Sequence, residues 1–379
     1  MKELLHLLTE ADRLRQAGQA FALATVVKIN GSTYRRPGAR MLVAPDGTTH
    51  GAISGGCLEQ EVAQQALEVI DQGRAQILPF DLTDDDLILG FGTGCNGIVH
   101  VLIEPVPAPG FADPTQLVAT CLASRQLGVM AQVIDAPEGA DWLGRRLLRL
   151  EDGTTQGDLN LPSLRQMLLD EAAQTLVEGR HKIQTYALEA GPVEVLFEVV
   201  RPPVRLVIFG AGHDVKPVVR LAKEMAWSVT IVGRKPPEVL AERFPEADAH
   251  IFLMHPEQVL DYVPLDARSA AAIMNHQYVR DKALIGALLR SPLPYIGALG
   301  PRDRAERIIG ELRAENPTLT DAHFTKVHGP VGLDIGTETP EEIALSMMAE
   351  IQAVHHHRTG GMLRHRAGAI HEAVIISDQ

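Results

Sequence analysis

Basic residues, cysteines and long apolar runs are all scarce in this sequence, and each shortage removes a class of function. Lysine and arginine number 35 against 48 aspartates and glutamates, a formal net charge of −13. No long basic run offsets this, so the electrostatic hold demanded by nucleic-acid phosphates or an anionic membrane is missing, and nucleic acid is not an expected partner. Three cysteines, Cys57, Cys95 and Cys121, are too few and too widely spaced for a disulfide framework. No Cys-x-x-Cys pair points to structural zinc, and a reducing, cytoplasmic setting is the expectation. No apolar run approaches the roughly 18 residues of a membrane-spanning helix. Residues 1–18 read as an amphipathic helix interrupted by Glu3, Glu10 and Asp12, whereas a secretion signal needs an unbroken apolar stretch. What is present, 45% hydrophobic and 22% charged residues over 379 positions, suits two or three globular domains.

The chain contains an internal repeat. Residues 38–76 lie without gaps on residues 144–182, at an offset of 106. Gly38 falls on Gly144, Arg40 on Arg146, Asp46-Gly47-Thr48-Thr49 on Asp152-Gly153-Thr154-Thr155, Gly51 on Gly157, and Gly73-Arg74 on Gly179-Arg180. Each copy reads as a strand (22–29; 129–134), a second strand entering an Asp-Gly turn (40–44; 146–150), a helix (59–72; 164–178) and a closing strand (from Ile98; from Val193). The expected fold is therefore α/β, with a duplicated α/β domain over residues 1–200 and its repeats at about 20–105 and 126–200.

A duplicated unit supplies its own control, and the copies differ in two places. Copy one enters its helix through Ser54-Gly55-Gly56-Cys57-Leu58-Glu59, where copy two has Asn160-Leu161-Pro162-Ser163-Leu164-Arg165. Copy one also carries 11 extra residues before its closing strand, because the offset falls from 106 to 95 between Ile98 and Val193; these include the glycine-rich stretch around Cys95. Two of the three cysteines thus sit in segments the fold does without, which marks a site rather than a scaffold. Glycines at a helix start leave open N–H groups and room for a ligand, and the positive helix end favours the nucleophilic, metal-binding thiolate. Were the two loops side by side, Cys57 and Cys95 would form a soft two-sulfur metal site, with Glu59 adding an oxygen ligand or proton acceptor. Cys121, in an apolar helical run, reads as core. Arg35 and Arg36 stand among turn residues and are candidate anion contacts, since guanidinium fits phosphate bidentately; Arg40, which has a counterpart in Arg146, reads as structural.

After a linker at Pro202-Pro203, an apolar strand runs into Phe209-Gly210-Ala211-Gly212-His213-Asp214 and a helix from Val215, followed by a second strand at 228–232. Later strands fit at 250–253, 271–274 and 295–298. This order predicts a Rossmann-like, doubly wound parallel-sheet domain over 204–354, with ligand contacts at the strand carboxyl edge. The dinucleotide fingerprint departs at Val215, and the second strand ends in Gly233-Arg234-Lys235 where an acidic residue would hold a ribose. Arg234 and Lys235 would favour NADP or another phosphorylated ligand, so an NADP-dependent oxidoreductase is a second functional reading. A helix is expected from Pro340, and residues 355–379, with His355, His356 and His357, read as a loosely ordered tail.

Four motifs in order, Ser54-Gly55-Gly56-Cys57-Leu58-Glu59, Gly94-Cys95-Asn96-Gly97, the segment 209–214 and the segment 328–351, resemble the XdhC/CoxI family of molybdenum-hydroxylase maturation factors over almost all of residues 10–354. The resemblance implies a chaperone that binds the molybdenum cofactor, supports its sulfuration with a cysteine desulfurase, and inserts it into a hydroxylase of the xanthine dehydrogenase type. It assigns Cys57 and Cys95 to molybdenum or sulfur and Glu59 to their support. Ser54, Gly55, Gly56, Arg35, Arg36, Gly210, Gly212, His213, Asp214 and Arg234 would contact the pterin phosphate or nucleotide. A homodimer is the expected assembly.

Overall fold

The computed structural model describes residues 1–82, 96–159, 161–162, 164–367, 370 and 375–378. It divides into two compact units, one of residues 1–202 with the C-terminal strand and one of residues 203–370.

The first unit opens with α1 (Lys2–Gln16) and then runs β1 (Phe21–Ser32), β2 (Arg40–Val43), β3 (Thr49–Gly51), α2 (Glu59–Gln72), β4 (Gln76–Asp81) and β5 (Asn96–Val106). After α3 (Pro114–Ser124) the pattern recurs as β6 (Gly128–Asp135), β7 (Arg146–Leu150), β8 (Thr155–Gly157), α4 (Arg165–Glu178), β9 (Lys182–Leu188) and β10 (Gly191–Val200). The sheets have the same order, β3-β2-β1-β5-β4 and β8-β7-β6-β10-β9. The duplication seen in the sequence is thus a duplication of fold. Four short strands that the sequence pattern did not reveal complete it: β3, β4, β8 and β9. Strand β4 contains Pro79 at the edge of its sheet, a position where a missing donor N–H is tolerated.

The repeated residues have physical reasons. Each helix ends on a glycine in the left-handed region, Gly73 at φ 66° and Gly179 at φ 65°. A Cβ on Gly51 would stand 2.4 Å from the Arg40 carbonyl oxygen, and one on Gly157 would stand 2.2 Å from that of Arg146. Both hairpins therefore close only over glycine. Along β1, alternate residues Ala22, Ala24 and Val26 pack into the core beneath α2 with Val62, Ala66 and Val69. Copy two builds the equivalent core from Val129, Ala131 and Val133 with Leu168 and Ala172. On the opposite faces Val27 and Leu102 of copy one pack with Ile134, Ile183 and Leu196 of copy two.

Two reciprocal ion pairs cross this seam. Arg40 Nη1 and Nη2 lie 2.8 and 2.5 Å from the Glu198 carboxylate, and Arg146 pairs with Glu104. Arg40 stands opposite Thr25 and Arg146 opposite Gln132, while Glu104 stands opposite Leu23 and Glu198 opposite Met130. These registers superpose, so each repeat offers one arginine and one glutamate at matching positions to the other. Gly38 and Gly144 sit at φ 92° and 85°, a region that favours glycine, and a Cβ on Gly38 would also stand 2.7 Å from Glu198 Oε1.

The second unit contains β11 (Arg205–Phe209), α5 (Val215–Glu224), β12 (Ser228–Gly233), α6 (Pro237–Arg243), β13 (Ala249–Phe252), α7 (Val259–Tyr262), β14 (Ser269–Ile273), α8 (Tyr278–Leu288), β15 (Tyr295–Ala298), α9 (Arg302–Glu315), α10 (Asp321–Phe324), β16 (Val327–His328) and α11 (Pro340–His355). Its sheet is parallel with the order β13-β12-β11-β14-β15-β16, the doubly wound Rossmann arrangement. Helices α5 and α11 cover one face of it and α8 and α9 the other. Helix α11 starts in a reciprocal cap, in which Thr339 Oγ1 accepts from Glu342 N at 3.3 Å and Glu342 Oε2 accepts from Thr339 N at 2.9 Å. Thr339→Ala is expected to lower the stability of this unit by about 1 kcal/mol, read from the denaturation midpoint of Trp227 fluorescence. An unchanged midpoint would show that the packing of α11 alone sets its start.

The expected loose tail requires a correction. A last strand, β17 (Ile375–Asp378), pairs in parallel with β9 and extends the second repeat sheet to six strands. The open edge of β9 offers unpaired backbone groups, and the backbone of residues 375–378 takes them up. The glycines and charges before it concealed this from a compositional reading.

Candidate functional site

In the first unit, the segment that differs between the copies is built around Ser54 and Glu59. Helix α2 begins only at Glu59, with Leu58 as its N-cap. Ser54 Oγ accepts from the N–H groups of Gly56, Cys57 and Leu58 at 3.1, 3.1 and 3.2 Å, and donates to Glu59 Oε2 at 2.5 Å. Glu59 Oε1 accepts from Ser54 N at 2.8 Å and from Ile53 N at 3.2 Å. Burial pulls the Glu59 carboxyl upward, but the hydrogen bonds from the Ser54 hydroxyl and backbone outweigh it and hold the group below its ordinary value.

Two expectations change here. The N–H groups of Gly56 and Cys57 are not open to a ligand, because the Ser54 hydroxyl already occupies them. Glu59, with both oxygens engaged by the loop, is placed to hold the loop's shape rather than to reach a ligand. Gly56 adopts φ 111°, which a side chain rarely tolerates, and the space beside it is open. Gly55 lies under the ring of Tyr34.

The loop presents Cys57 as a free, partly exposed thiol to a cavity of about 350 Å³. Thr33, Tyr34, Arg35, Ser54 and Gly55 line its polar side, and Ile53, Leu82 and Val99 its floor. Tyr34 is 70% exposed and was missed as a site candidate, although a lone aromatic among arginines and turn residues was a visible signal. The Arg35 guanidinium reaches Glu3 of α1 at 2.9 Å, so its charge is already partly met. The Nε atoms of Arg35 and Arg36 are nevertheless buried without a hydrogen-bond partner among the described residues. Arg40 belongs to the seam ion pair, as its repeat partner foretold. Cys121 is fully buried, with its thiol 3.3 Å from the Gln126 carbonyl. Cys95 lies outside the described residues. Among the described residues no group of three metal-ligating side chains assembles.

In the second unit, the strand carboxyl edge holds the Gly210–Gly212 turn. Gly210 sits at φ 148°, and a Cβ there would stand 2.5 Å from the Met274 carbonyl oxygen. Gly212 is crowded by Asp214 Oδ1, which would lie 2.1 Å from a Cβ. The Asp214 carboxylate thus folds back over the glycine turn at the start of α5, and His276, at φ 59°, places Nε2 3.1 Å from Asp214 Oδ2. His213 and Arg234 are exposed. Burial first, and then the neighbouring charge of Arg234, lowers the pKa of Arg280, whose guanidinium donates to the Leu253 and Met254 carbonyls. Arg304 pairs with the buried Asp281 at 2.5 Å.

A duplicated α/β unit bearing a thiol cavity, followed by a Rossmann unit with a glycine turn at its strand edge, defines a two-part protein with a candidate ligand site in each part. Comparison with known proteins identifies its class. The family description "XdhC Rossmann domain" matches residues 206–351, and "XdhC and CoxI family" matches residues 14–81. A Bacillus subtilis protein, named there as a probable subunit of xanthine dehydrogenase, is 33% identical over 344 residues, covering 90% of this chain and 96% of that one. The chain belongs to the XdhC and CoxI family. The Escherichia coli molybdenum cofactor insertion chaperone PaoD is 25% identical over 350 residues, covering 90% and 86%. A solved structure described as a xanthine dehydrogenase from Bacillus halodurans matches 97% of this chain and 98% of its own, at 27% identity and a TM-score of 0.71. Among the described residues no helix is long and apolar enough to cross a membrane.

Proposed function

We propose that this protein is an accessory factor for a molybdenum hydroxylase of the xanthine dehydrogenase type, holding the molybdenum cofactor and passing it on. The observation that carries this is the Cys57 thiol, presented to a 350 Å³ cavity by a loop that the second repeat lacks. The similarity to a named molybdenum cofactor insertion chaperone supports it. The donor set fits such a cargo: a thiolate suits a soft metal or a sulfur atom in transfer, and the Arg35 guanidinium in the cavity wall suits an anionic phosphate, with Arg36 next to it in the chain. Cys57 is the proposed ligand, Cys95 its proposed partner, and Ser54 and Glu59 hold the loop. Sulfuration with a cysteine desulfurase and a homodimeric assembly complete the reading.

The NADP-dependent alternative rests on the Gly210–Gly212 turn. There the Asp214 carboxylate stands beside Gly212 at the start of α5, and its negative charge would repel a pyrophosphate placed on that turn. The test compares molybdenum and pterin bound per chain after purification from a cofactor-producing host. Wild type is expected to retain cofactor and Cys57→Ala to lose most of it, with NADPH binding absent in both. Equal cofactor content in the two proteins, or NADPH binding lost on Arg234→Ala, would reject the proposal.

A further inference from the structure

A larger cavity, of about 490 Å³, lies on the seam between the two repeats and is separate from the Cys57 pocket. Its lining follows the duplication. In β1 the pairing with β5 skips Val27, so that Val26 faces Val101 and Lys28 faces His100. In β6 the pairing with β10 skips Ile134 at the matching place, so that Val133 faces Val195 and Asp135 faces Glu194. Each sheet therefore carries one bulge at the same register, and bulges re-aim the side chains beside them. Val27 and Ile134, the two bulged residues, form an apolar floor with Ile77 and Leu143.

At equivalent positions around this floor, copy one supplies Lys28 and His100 and copy two supplies Asp135 and Glu194. Duplication alone would give two like halves; here one half is basic and the other acidic. Lys28 Nζ lies 3.0 and 2.9 Å from the two Glu194 oxygens, across the seam. Burial, reinforced by the Lys28 ammonium, holds His100 below the usual imidazole value, so it enters as a neutral hydrogen-bonding group. Asp135 accepts from Ala136 N through one oxygen at 2.9 Å.

We propose that this cavity binds a small zwitterion, an α-amino acid with an apolar side chain, its carboxylate received by Lys28 and His100 and its ammonium by Asp135 and Glu194. A lone anion would meet two carboxylates and a lone cation would meet Lys28. A ligand bearing both charges satisfies both halves, and the apolar floor receives its side chain.

The test titrates the full-length protein calorimetrically with L-leucine, L-methionine and L-phenylalanine. Isocaproate and isoamylamine serve as the single-charge counterparts of leucine. Saturable binding by at least one amino acid is expected, weakened about tenfold or more for either counterpart and for Glu194→Gln, in line with the loss of a hydrogen bond to a charged group. Because Glu194→Gln leaves Lys28 unpaired and could disturb folding, Ala140→Trp, which puts an indole in place of a methyl in the cavity lining, provides the second variant. It should abolish binding with an unchanged circular dichroism spectrum. Absence of saturable binding, equal binding of the single-charge counterparts, or binding that survives Ala140→Trp would overturn the proposal.

Discussion

Arg146→Met is expected to destabilise the first unit by about 3–5 kcal/mol, the cost of leaving one member of a buried ion pair alone. Arg146 is fully buried, and its guanidinium holds Glu104 and donates to the Ala112 carbonyl at 3.1 Å. Glu104 is nearly as buried, and burial pushes its carboxyl up while Arg146 pulls it down. Without the guanidinium, the main opposition to desolvation is gone, only the Arg40 charge still pulls the carboxyl down, and Glu104 folds best as the neutral acid. A carboxyl whose folded value is raised contributes stability below its unfolded value and loses it as the pH rises through the folded one. The deficit of Arg146→Met should therefore shrink between pH 8 and pH 5. Adding Glu104→Met should recover most of it at both pH values, because two apolar side chains replace a costly pair. Urea unfolding in a Trp227→Phe background, where Trp142 remains as the reporter of the first unit, measures each case. A loss below about 1 kcal/mol, or one independent of pH, would show that the seam is held by its apolar contacts alone.

The duplication explains how much of this could be read from the sequence. Helix bounds 59–72 and 340 onwards were legible because periodic apolar positions and cap residues coincide there. The seam was half legible: the repeat of Gly38 and Arg40 at Gly144 and Arg146 marked these positions, but their partners Glu198 and Glu104 lie in strands whose register to the repeat shifts. Pairing across a seam is a long-range fact that local pattern does not carry. The same holds for β17, whose place depends on the open edge of β9 rather than on its own four residues. At the thiol loop, the contrast between copies found the segment, whereas composition gave the roles of its members differently. Glutamate beside the thiol suggested a ligand, and the family resemblance added the serine, yet both are occupied in satisfying the loop's own backbone.

Ser54→Ala is the second large effect expected, and it separates the loop's shape from its thiol. The substitution removes the acceptor for the N–H groups of Gly56 and Cys57 and the donor to Glu59, while leaving Cys57 in the chain. Leu58 N retains Glu59 Oε2 at 3.2 Å, so the helix start survives and the change is confined to residues 54–57. Each partly buried N–H that loses its acceptor costs about 1–3 kcal/mol, enough for the loop to rearrange toward water. Alkylation of Cys57 by iodoacetamide, followed by peptide mass, should accelerate about tenfold, a barrier change of the size of one such hydrogen bond. Bound cofactor should fall nearly as far as in Cys57→Ala, and Ser54→Thr, which keeps the hydroxyl, should restore both readouts. If Ser54→Ala alkylates at the wild-type rate, the hydroxyl does not set the loop. If the rate rises but cofactor stays bound, the pocket tolerates a mobile thiol, and the cavity walls at Tyr34 and Arg35 must hold the cargo instead. The second repeat, with Asn160 and Arg165 in place of Ser54 and Glu59, lacks both side chains together with the cysteine, as a loop serving one thiol requires.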